Sequence, residues 1–355
     1  MCRASRTREE IASILYPIAY FYPQGHEAHY SWGHAERPER VEVIKRALID
    51  AGLWQRSSQV QPEELPESLL SNVHSKNLLE TIQIHSEREE NIDADTYLTK
   101  DTWRLALAAA GGASALARTV WRREAEVGFA LTRPPGHHAT RGQAMGFCLL
   151  NNIALATESL IQTEYAKRLA IVDMDVHHGN GTQDIFWDRG DVFFISTHQS
   201  PLYPGTGQLT ETGGKFAKDT KVNLPLPPFS GDKAFKVAYE EIIPAVLDRF
   251  NPEMILVSFG FDAHWKDPLA NLLVSAKGYA SAVRSLKNWA IKNCDGRIAV
   301  ILEGGYDLAA AAACGLGVTQ ALLGDEISDP FGPAPLAETE DWIPVLSKAK
   351  EIWQV

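Results

Sequence analysis

The fold of this chain is decided by one stretch of its sequence, Leu169-Ala-Ile-Val-Asp-Met-Asp-Val-His-His-Gly-Asn-Gly-Thr182. Residues 169–173 form a short apolar run that includes β-branched residues, which predicts a buried strand. Acidic, histidine and glycine residues follow at once, and they are typical of a loop that carries ligands. We therefore expect a buried strand whose carboxyl end opens into a functional loop.

Runs of the same kind alternate with helical patterns along the chain. The other candidate strands are residues 18–22, 127–131, 192–196, 254–258 and 298–302. The candidate helices are residues 102–122, 152–164, 232–249, 276–292 and 308–323. Parallel neighbours in a sheet need a crossover connection, so this alternation predicts an α/β fold with a central, mostly parallel sheet and helices on both faces.

The composition limits the classes of function that this chain can have. Its 34 Lys and Arg residues against 45 Asp and Glu residues give a net charge of −11, which disfavours binding to nucleic acid or to an anionic membrane. No apolar run has the length of a membrane span, so a cytoplasmic protein is expected. The cysteines, at positions 2, 148, 294 and 314, lie far apart, which predicts reduced thiols rather than disulfides.

No Gly/Ser-rich linker or internal repeat divides the 355 residues. We therefore expect a single domain over residues 1–355, because linkers of that composition usually mark domain boundaries. Within it, the catalytic core is expected at about 18–324 and a tail that packs on the surface at about 325–355. A homo-oligomer is compatible with this sequence.

Four polar clusters each end one of the predicted strands. They are Arg133-Pro-Pro-Gly-His-His-Ala139, Asp173-Met-Asp-Val-His-His-Gly-Asn-Gly-Thr182, Phe259-Gly-Phe-Asp-Ala-His264 and Glu303-Gly-Gly-Tyr-Asp307. The carboxyl ends of parallel strands meet at one edge of a sheet, where open α/β folds bind their ligands. The four clusters are therefore expected to form one site.

Asp175, His177 and Asp262 are the candidate metal ligands. Asp175 and His177 are two residues apart at a strand end, so both can turn toward a ligand as the backbone leaves the sheet. With Asp262 from another strand they offer one nitrogen and two carboxylates, and three protein ligands leave one position of a catalytic zinc ion free. The alternative is that each acid caps a helix or loop, but four clusters at one edge favour the metal.

Adjacent His137 and His138 in a Pro-Pro-Gly turn predict acid–base catalysis, in which one imidazole removes a proton from water and later protonates the leaving amine. Asp173 and Asn180 are candidates to fix the tautomers of these rings. Tyr306 follows two glycines that let the backbone bend, and it is the candidate donor to a developing oxyanion. Solvated turn histidines are the alternative explanation of the His-His pair.

Taken together, R-P-P-G-H-H-A and D-x-D-x-H-H-G-N-G resemble motifs of the zinc-dependent histone deacetylases and acetylpolyamine amidohydrolases. These enzymes belong to the arginase–deacetylase superfamily, and the resemblance is strongest to the class II branch and its bacterial relatives. It covers residues 20–324 approximately and implies the arginase/deacetylase fold. It also implies that the three ligands bind zinc, that His138 is general base and then acid with His137 supporting it, and that Tyr306 binds the substrate carbonyl.

The same resemblance implies further contacts around the site. The expected substrate-binding residues are Asp95, Gly146, Phe147, Tyr203, Leu269 and Gly304. Phe147 and Tyr203 would flank the aliphatic chain of the substrate, and Arg40 would line an internal channel for acetate. The expected ligands of a structural potassium ion are Asp173, Asp175, His177, Ser196 and Thr197. Loop packing of Tyr203 and a helix-start ion pair of Arg40 are the alternatives.

The function implied by the resemblance is zinc-dependent removal of acetyl groups from acetyl-lysine in peptides or proteins, or from small acetylated amines, with release of acetate. An acetylpolyamine deacetylase is the main alternative. Leu269 stands where one group of polyamine enzymes has Glu, and residues 87–101 look too short for the acidic loop of the bacterial polyamine enzymes. The sequence therefore favours an open mouth over a polyamine specialist.

Two functions outside this class are disfavoured by particular residues. An inactive module that binds acetyl-lysine would not need the two histidines and the tyrosine together. An arginase-like ureohydrolase needs additional carboxylates to bridge a second metal ion, and the superfamily pattern would put them at Gly179 and His264, neither of which can bridge.

Overall fold

The centre of the molecule is a sheet of eight strands, seen in a computed structural model that describes residues 16–355. The strands are β1 (Tyr16–Phe21), β2 (Ser58–Val60), β3 (Ala125–Ala130), β4 (Leu169–Asp173), β5 (Val192–Gln199), β6 (Lys221–Leu226), β7 (Met254–Phe259) and β8 (Ile298–Leu302). Their order across the sheet is β2-β1-β3-β8-β7-β4-β5-β6, and every neighbouring pair is parallel. The predicted α/β class with a central parallel sheet is confirmed.

The sequence does not predict β2 and β6, which form the two edges of the sheet. β2 has three residues and pairs with β1. β6 contains Pro225, which lacks the N–H that an inner strand would need, and it pairs with β5. Neither strand has the continuous apolar run of a strand that lies between two neighbours, so hydrophobic patterning misses both.

Helices cover the sheet on both sides. They are α1 (Glu39–Asp50), α2 (Glu67–Val73), α3 (Lys76–Arg88), α4 (Thr102–Trp121), α5 (Asn152–Glu164), α6 (Asn180–Ile185), α7 (Asp232–Val237), α8 (Ile243–Phe250), α9 (Ala276–Asn293), α10 (Leu308–Leu323) and α11 (Trp342–Trp353). The predicted helix at 232–249 is divided into α7 and α8 by a π-helical turn, Ala238–Ile242. Among residues 16–355, no helix combines the length and the hydrophobicity that crossing a bilayer requires.

Two hydrophobic cores lie on opposite faces of the sheet, because successive residues of a strand point to opposite sides. In β4, Val172 belongs to the core under α1, α9 and α10, whereas its neighbour Ile171 belongs to the core under α4 and α5. This explains why the inner strands read as unbroken apolar runs. Cys148, Cys294 and Cys314 are buried free thiols, and Cys2 lies outside the described residues.

The C-terminal segment is more than the surface tail that the sequence predicts after residue 324. It ends in α11, whose Trp342, Leu346 and Trp353 are buried in the core. Before this helix, the Glu338 carboxylate accepts hydrogen bonds from the backbone N–H groups of Gly231 and two residues of α7. The apolar face of α11 thus completes the core, and the segment packs on the rest of the chain through this helix.

Candidate active site

The four polar clusters leave the same edge of the sheet. Asp173, the last residue of β4, is in register with Ser258 of β7 and Ser196 of β5. Ser258 is in turn paired with Ile301 of β8, and Ile301 with Ala130 of β3. Because β3, β4, β7 and β8 end within a residue of one another, the loops that follow them converge, as the sequence predicts.

The three candidate metal ligands lie together at the bottom of this edge. The ligand atoms of Asp175, His177 and Asp262 lie within 4.8 Å of one another. His177 Nδ1 is 3.1 Å from Asp175 Oδ1 and 3.3 Å from Asp262 Oδ2. Two ligands of a tetrahedral zinc ion, each 2.0–2.1 Å from the metal, are separated by about 3.3 Å. The spacing of these donor atoms therefore fits a zinc ion.

One oxygen among the metal-ligand carboxylates has no hydrogen-bond donor within residues 16–355 and is available to a cation. Asp262 Oδ2 is buried and, although the His177 ring lies 3.3 Å away, it makes no hydrogen bond to the described residues; a carboxylate oxygen in this position is stabilised by a cation. Burial alone would lower the pKa of His177, but Asp175 and Asp262 outweigh it and raise this pKa to about 10. The pair of carboxylates thus attracts positive charge, and metal binding would displace a proton from this imidazole.

Glycines allow the neighbouring strands to approach the ligands. A Cβ atom on Gly260 would lie 1.9 Å from Asp175 Oδ2, and one on Gly304 would lie 2.3 Å from Asp262 Oδ2. The Gly304 N–H donates to Asp175 Oδ2 at 2.8 Å. Gly304 therefore lies behind the ligands, and its expected contact with substrate stays a prediction.

His137 and His138 are both buried and each has the expected partner. His137 Nδ1 donates to Asp173 Oδ2 at 3.0 Å, and His138 Nδ1 is 2.7 Å from the Asn180 side-chain oxygen. Since an amide oxygen only accepts, His138 carries its proton on Nδ1 and its Nε2 is left with a free lone pair.

The two histidines differ in charge. Burial opposes the proton on His137, but Asp175 and Asp173 outweigh it and raise the pKa of His137 to about 10. Burial, followed by the charges of His137 and His177, lowers the pKa of His138 well below its usual range. A positive imidazole thus stands beside a neutral one that can accept a proton, which is the arrangement that general-base catalysis needs.

Tyr306 completes the floor of the site. It follows Gly305, whose φ of +105° is accessible to glycine. The phenol ring meets the ring of Phe147 edge-on at 5.6 Å, and the Arg40 guanidinium lies 4.9 Å from its centroid on another side. Arg40 also donates to the backbone oxygens of Gly305 and Glu303, each at 2.5 Å.

Arg40 shows that its two sequence interpretations are compatible. It lies in the first turn of α1 and pairs with Glu36 at 3.1 Å, which is the helix-start ion pair. It is also fully buried against the Tyr306 loop, which is the position expected of a residue behind the active site. Its proposed contact with acetate stays a prediction.

A pocket of about 280 Å³ leads from the surface to these residues. Its lining residues are Asp93, Asp95, His138, Gly146, Phe147, His177, Leu202, Tyr203, Leu269 and Tyr306. Five of the six expected substrate-binding residues are therefore in the lining, and Gly304 is not. Asp93 and Leu202 are pocket residues that the sequence did not single out, although Asp93 is only two residues from the expected contact Asp95.

The expected potassium ligands lie next to the metal residues. Ser196 is the register partner of Asp173, and the Thr197 hydroxyl is 2.8 Å from the Tyr239 hydroxyl. The Asp173 Oδ1 atom accepts the Asp175 N–H at 3.1 Å. These groups offer oxygen donors, which suit hard cations.

Two buried carboxylates were missed by sequence reasoning. Glu303 Oε2 accepts the N–H groups of Gly136 and His137 at 2.7 and 3.0 Å, so it holds the turn that carries both histidines. Asp267 accepts the Tyr306 N–H at 2.6 Å. Both acids stand in the motifs quoted from the sequence or just after them, but a contact to a backbone amide 39 or more residues away has no sequence signal.

Known proteins resemble this chain over most of its length. The sequence model of the histone deacetylase domain family matches residues 34–322. The chain is 39% identical over 316 residues to a probable deacetylase of Archaeoglobus fulgidus, an alignment that covers 88% of this chain and 86% of that protein. It is 35% identical over 303 residues to a histone deacetylase-like amidohydrolase of Pseudomonas aeruginosa, covering 84% of this chain and 80% of the relative.

A solved structure shows the same architecture. The crystal structure of the HDA15 HD domain matches with a TM-score of 0.85 and 34% identity, and the match covers 95% of both chains. Fold, strand-end clusters and relatives thus agree with the resemblance seen in the sequence. This chain is a member of the histone deacetylase family, the deacetylases that hydrolyse acetylated amides.

Proposed function

We propose that this chain is a zinc-dependent deacetylase that removes the acetyl group from acetyl-lysine in peptides or proteins, or from small acetylated amines. The observation that carries the proposal is the meeting of three groups at the bottom of one pocket: the Asp175–His177–Asp262 cluster, His138 and Tyr306. Together they offer a metal site, a proton acceptor and an oxyanion donor, which are the parts that metal-assisted amide hydrolysis requires.

A zinc ion held by the three ligands would supply Lewis-acid chemistry, polarising the amide carbonyl and acidifying water. The protein residues would perform the remaining tasks. His138 Nε2 would accept the proton of the attacking water and later give it to the departing amine. His137, whose pKa is raised by Asp175 and Asp173, would stabilise negative charge nearby, and the Tyr306 hydroxyl would donate to the developing oxyanion.

The pocket walls support a slender substrate. Phe147 and Tyr203 both line the pocket and would flank an aliphatic chain, while Gly146 would accept a substrate N–H through its carbonyl. A side chain at Gly146 would meet His138 Cδ2 at 2.6 Å and Tyr203 Cε1 at 3.0 Å. Only glycine, which has no Cβ atom, lets residue 146 approach His138 and Tyr203 this closely.

The residues at the mouth bear on two candidate substrates. Leu269, which is 38% exposed at the rim, offers no charge to a polyamine ammonium and favours acetyl-lysine or a small acetylated amine. Asp93 and Asp95, also in the lining, favour a cationic substrate and keep acetylpolyamines as the second candidate. A potassium ion at Asp173, Asp175, His177, Ser196 and Thr197 would stabilise the floor without entering the reaction.

The proposal is tested by kinetics on metal-defined protein. Chelation should abolish hydrolysis, and one equivalent of Zn²⁺ should restore it. The restored enzyme is then compared on an acetyl-lysine peptide, free acetyl-lysine and an acetylated polyamine. We expect the highest kcat/KM for one of the first two; a preference for the polyamine would establish the second candidate, and activity unaffected by chelation would contradict the metal site.

A further inference from the structure

Asp267 is a buried acid next to the proposed catalytic machinery that the mechanism does not use. It stands in the loop after β7, five residues beyond the ligand Asp262, and is 7% exposed. None of the metal donor atoms belongs to it. Its role must therefore come from its hydrogen bonds.

The Asp267 carboxylate joins two loops at the edge of the pocket. Oδ2 accepts the N–H of Tyr306 at 2.6 Å and that of Asp307 at 3.3 Å. Oδ1 accepts the N–H of Leu269 at 3.0 Å. One side chain therefore binds the backbone of the expected oxyanion donor and the backbone of a residue at the pocket rim.

The Tyr306 loop needs such a contact. Gly304 and Gly305 precede the tyrosine and give the backbone wide conformational freedom. The phenol ring packs against Phe147 and Arg40, and Arg40 also donates to the backbone oxygens of Glu303 and Gly305, so the backbone is held on the side that precedes the tyrosine. The N–H of Tyr306 itself donates to Asp267 at 2.6 Å, and this contact holds the backbone at the tyrosine.

We propose that Asp267 is a positioning residue: it acts on the reaction through Tyr306, by holding the tyrosine backbone where the phenol reaches the substrate oxygen. The inference rests on the proposed function, in which Tyr306 is the oxyanion donor. A displacement of about 1 Å at a catalytic group can lower turnover about 10²-fold, so the effect of losing this contact should be large although Asp267 touches no substrate.

Asp267→Asn tests the proposal with little change of shape. The asparagine replaces one acceptor oxygen by an NH₂ group, so a donor meets a backbone N–H on whichever side it lies. We expect kcat to fall about 10²-fold while KM changes less than about threefold, because the lost interaction is made in the transition state.

A double-mutant cycle with Tyr306→Phe separates positioning from general loosening. If Asp267 acts through the phenol hydroxyl, Asp267→Asn should cost less than about threefold in kcat once the Tyr306→Phe change is present. Bound zinc and the thermal midpoint are measured for every variant. Should the Asn variant fail to fold, Asp267→Glu, which keeps the carboxylate at a greater length, replaces it in the same cycle with a smaller expected loss.

Asp329→Asn is the matched control. Asp329 likewise accepts three backbone N–H groups, those of Lys277, Phe331 and Gly332, but in the C-terminal segment away from the pocket lining. We expect its loss to lower the thermal midpoint and to leave kcat within about twofold.

Three results would overturn the inference. One is an unchanged kcat in Asp267→Asn; another is an equal loss from Asp267→Asn in the wild type and in the Tyr306→Phe variant; the third is a loss explained by missing zinc. Failure of the proposed function would look different, because Tyr306→Phe by itself would then leave turnover unchanged or the wild type would hydrolyse no acetylated amide.

Discussion

The floor and the mouth of the pocket are built in different ways. At the floor, His137 is 2% and His138 4% exposed, and each ring has a fixed hydrogen-bond partner on a strand end or helix start. At the mouth, Tyr203 is 45% and Leu269 38% exposed, on loops that cross the rim. The floor is buried and held by hydrogen bonds, and the mouth is exposed to solvent.

This difference separates chemistry from selectivity. Preorganised groups in a buried site stabilise charge strongly because nothing has to reorganise during the reaction. Exposed groups at a rim act through screened charges and flexible contacts, which are weak. Changes at the floor should therefore lower kcat by orders of magnitude, whereas changes at the mouth should alter the choice of substrate by small factors.

The largest effect is expected at a metal ligand. Asp175→Ala removes one of three donors, so zinc content should fall, and the loss of several kcal/mol of electrophilic stabilisation should lower turnover about 10⁴-fold or more. Metal analysis and kcat on an acetylated peptide measure both. Full activity with less than about one tenth of the wild-type zinc would contradict this role of the cluster.

Removal of the proton acceptor should come next. His138→Ala keeps all three ligands, so zinc should stay bound while kcat falls about 10²–10⁴-fold, the usual contribution of a general base. Parallel measurement of zinc and of kcat distinguishes this variant from the previous one. A substantial residual rate would assign the proton transfer to another group.

At the mouth, Leu269→Glu should change selectivity by a small factor. A single carboxylate at this exposed position gains about 1 kcal/mol or less with a substrate ammonium, so the ratio of kcat/KM for acetylated polyamine over acetyl-lysine peptide should rise about fivefold. Leu269→Gln is the uncharged control. An equal change in both variants would mean that shape rather than charge sets the preference.

The stability of the protein, in contrast to its turnover, should depend on pH through His74, a buried histidine outside the pocket lining. His74 donates from Nδ1 to the Thr140 oxygen and accepts the Asn151 N–H at Nε2, both at 2.9 Å, so its neutral form uses both nitrogens. Burial lowers the pKa of His74 to about 4 from the ordinary 6.5. Between these values the unfolded chain binds a proton that the folded chain does not, so stability is full above about pH 6.5 and falls toward pH 4.

His74→Gln should weaken this pH dependence. Glutamine also offers one donor and one acceptor but does not titrate, so its free energy of unfolding should lose on the order of 3 kcal/mol less than the wild type between pH 6.5 and 4. Denaturant unfolding at several pH values measures the two slopes. Identical slopes would show that His74 takes up protons equally in the folded and unfolded states and would contradict the lowered pKa. At about pH 7.5 kcat should be nearly unchanged, since His74 does not line the pocket.

Much of the floor was predictable because its signals are local. An apolar run predicts a buried strand, and the polar cluster after it must lie at the carboxyl edge of the sheet. The sequence therefore predicted that Asp175, His177, Asp262 and the His137–His138 pair share one site. The inner strands were found for the same reason. β6 was missed because Pro225 and an edge position hide its pattern.

The sequence by itself determined the class of fold and the chemical groups of the site, since strand periodicity and clusters of ligand residues are properties of neighbours along the chain. Only the tertiary structure decided which distant backbone amides the carboxylates bind: Glu303 binds the turn of the two histidines, and Asp267 binds the Tyr306 loop. The tertiary structure likewise decided that α11 packs in the core. It also decided the width and exposure of the mouth. Such contacts depend on which separate elements pack against one another, and the periodicity of residues along the chain does not specify that choice.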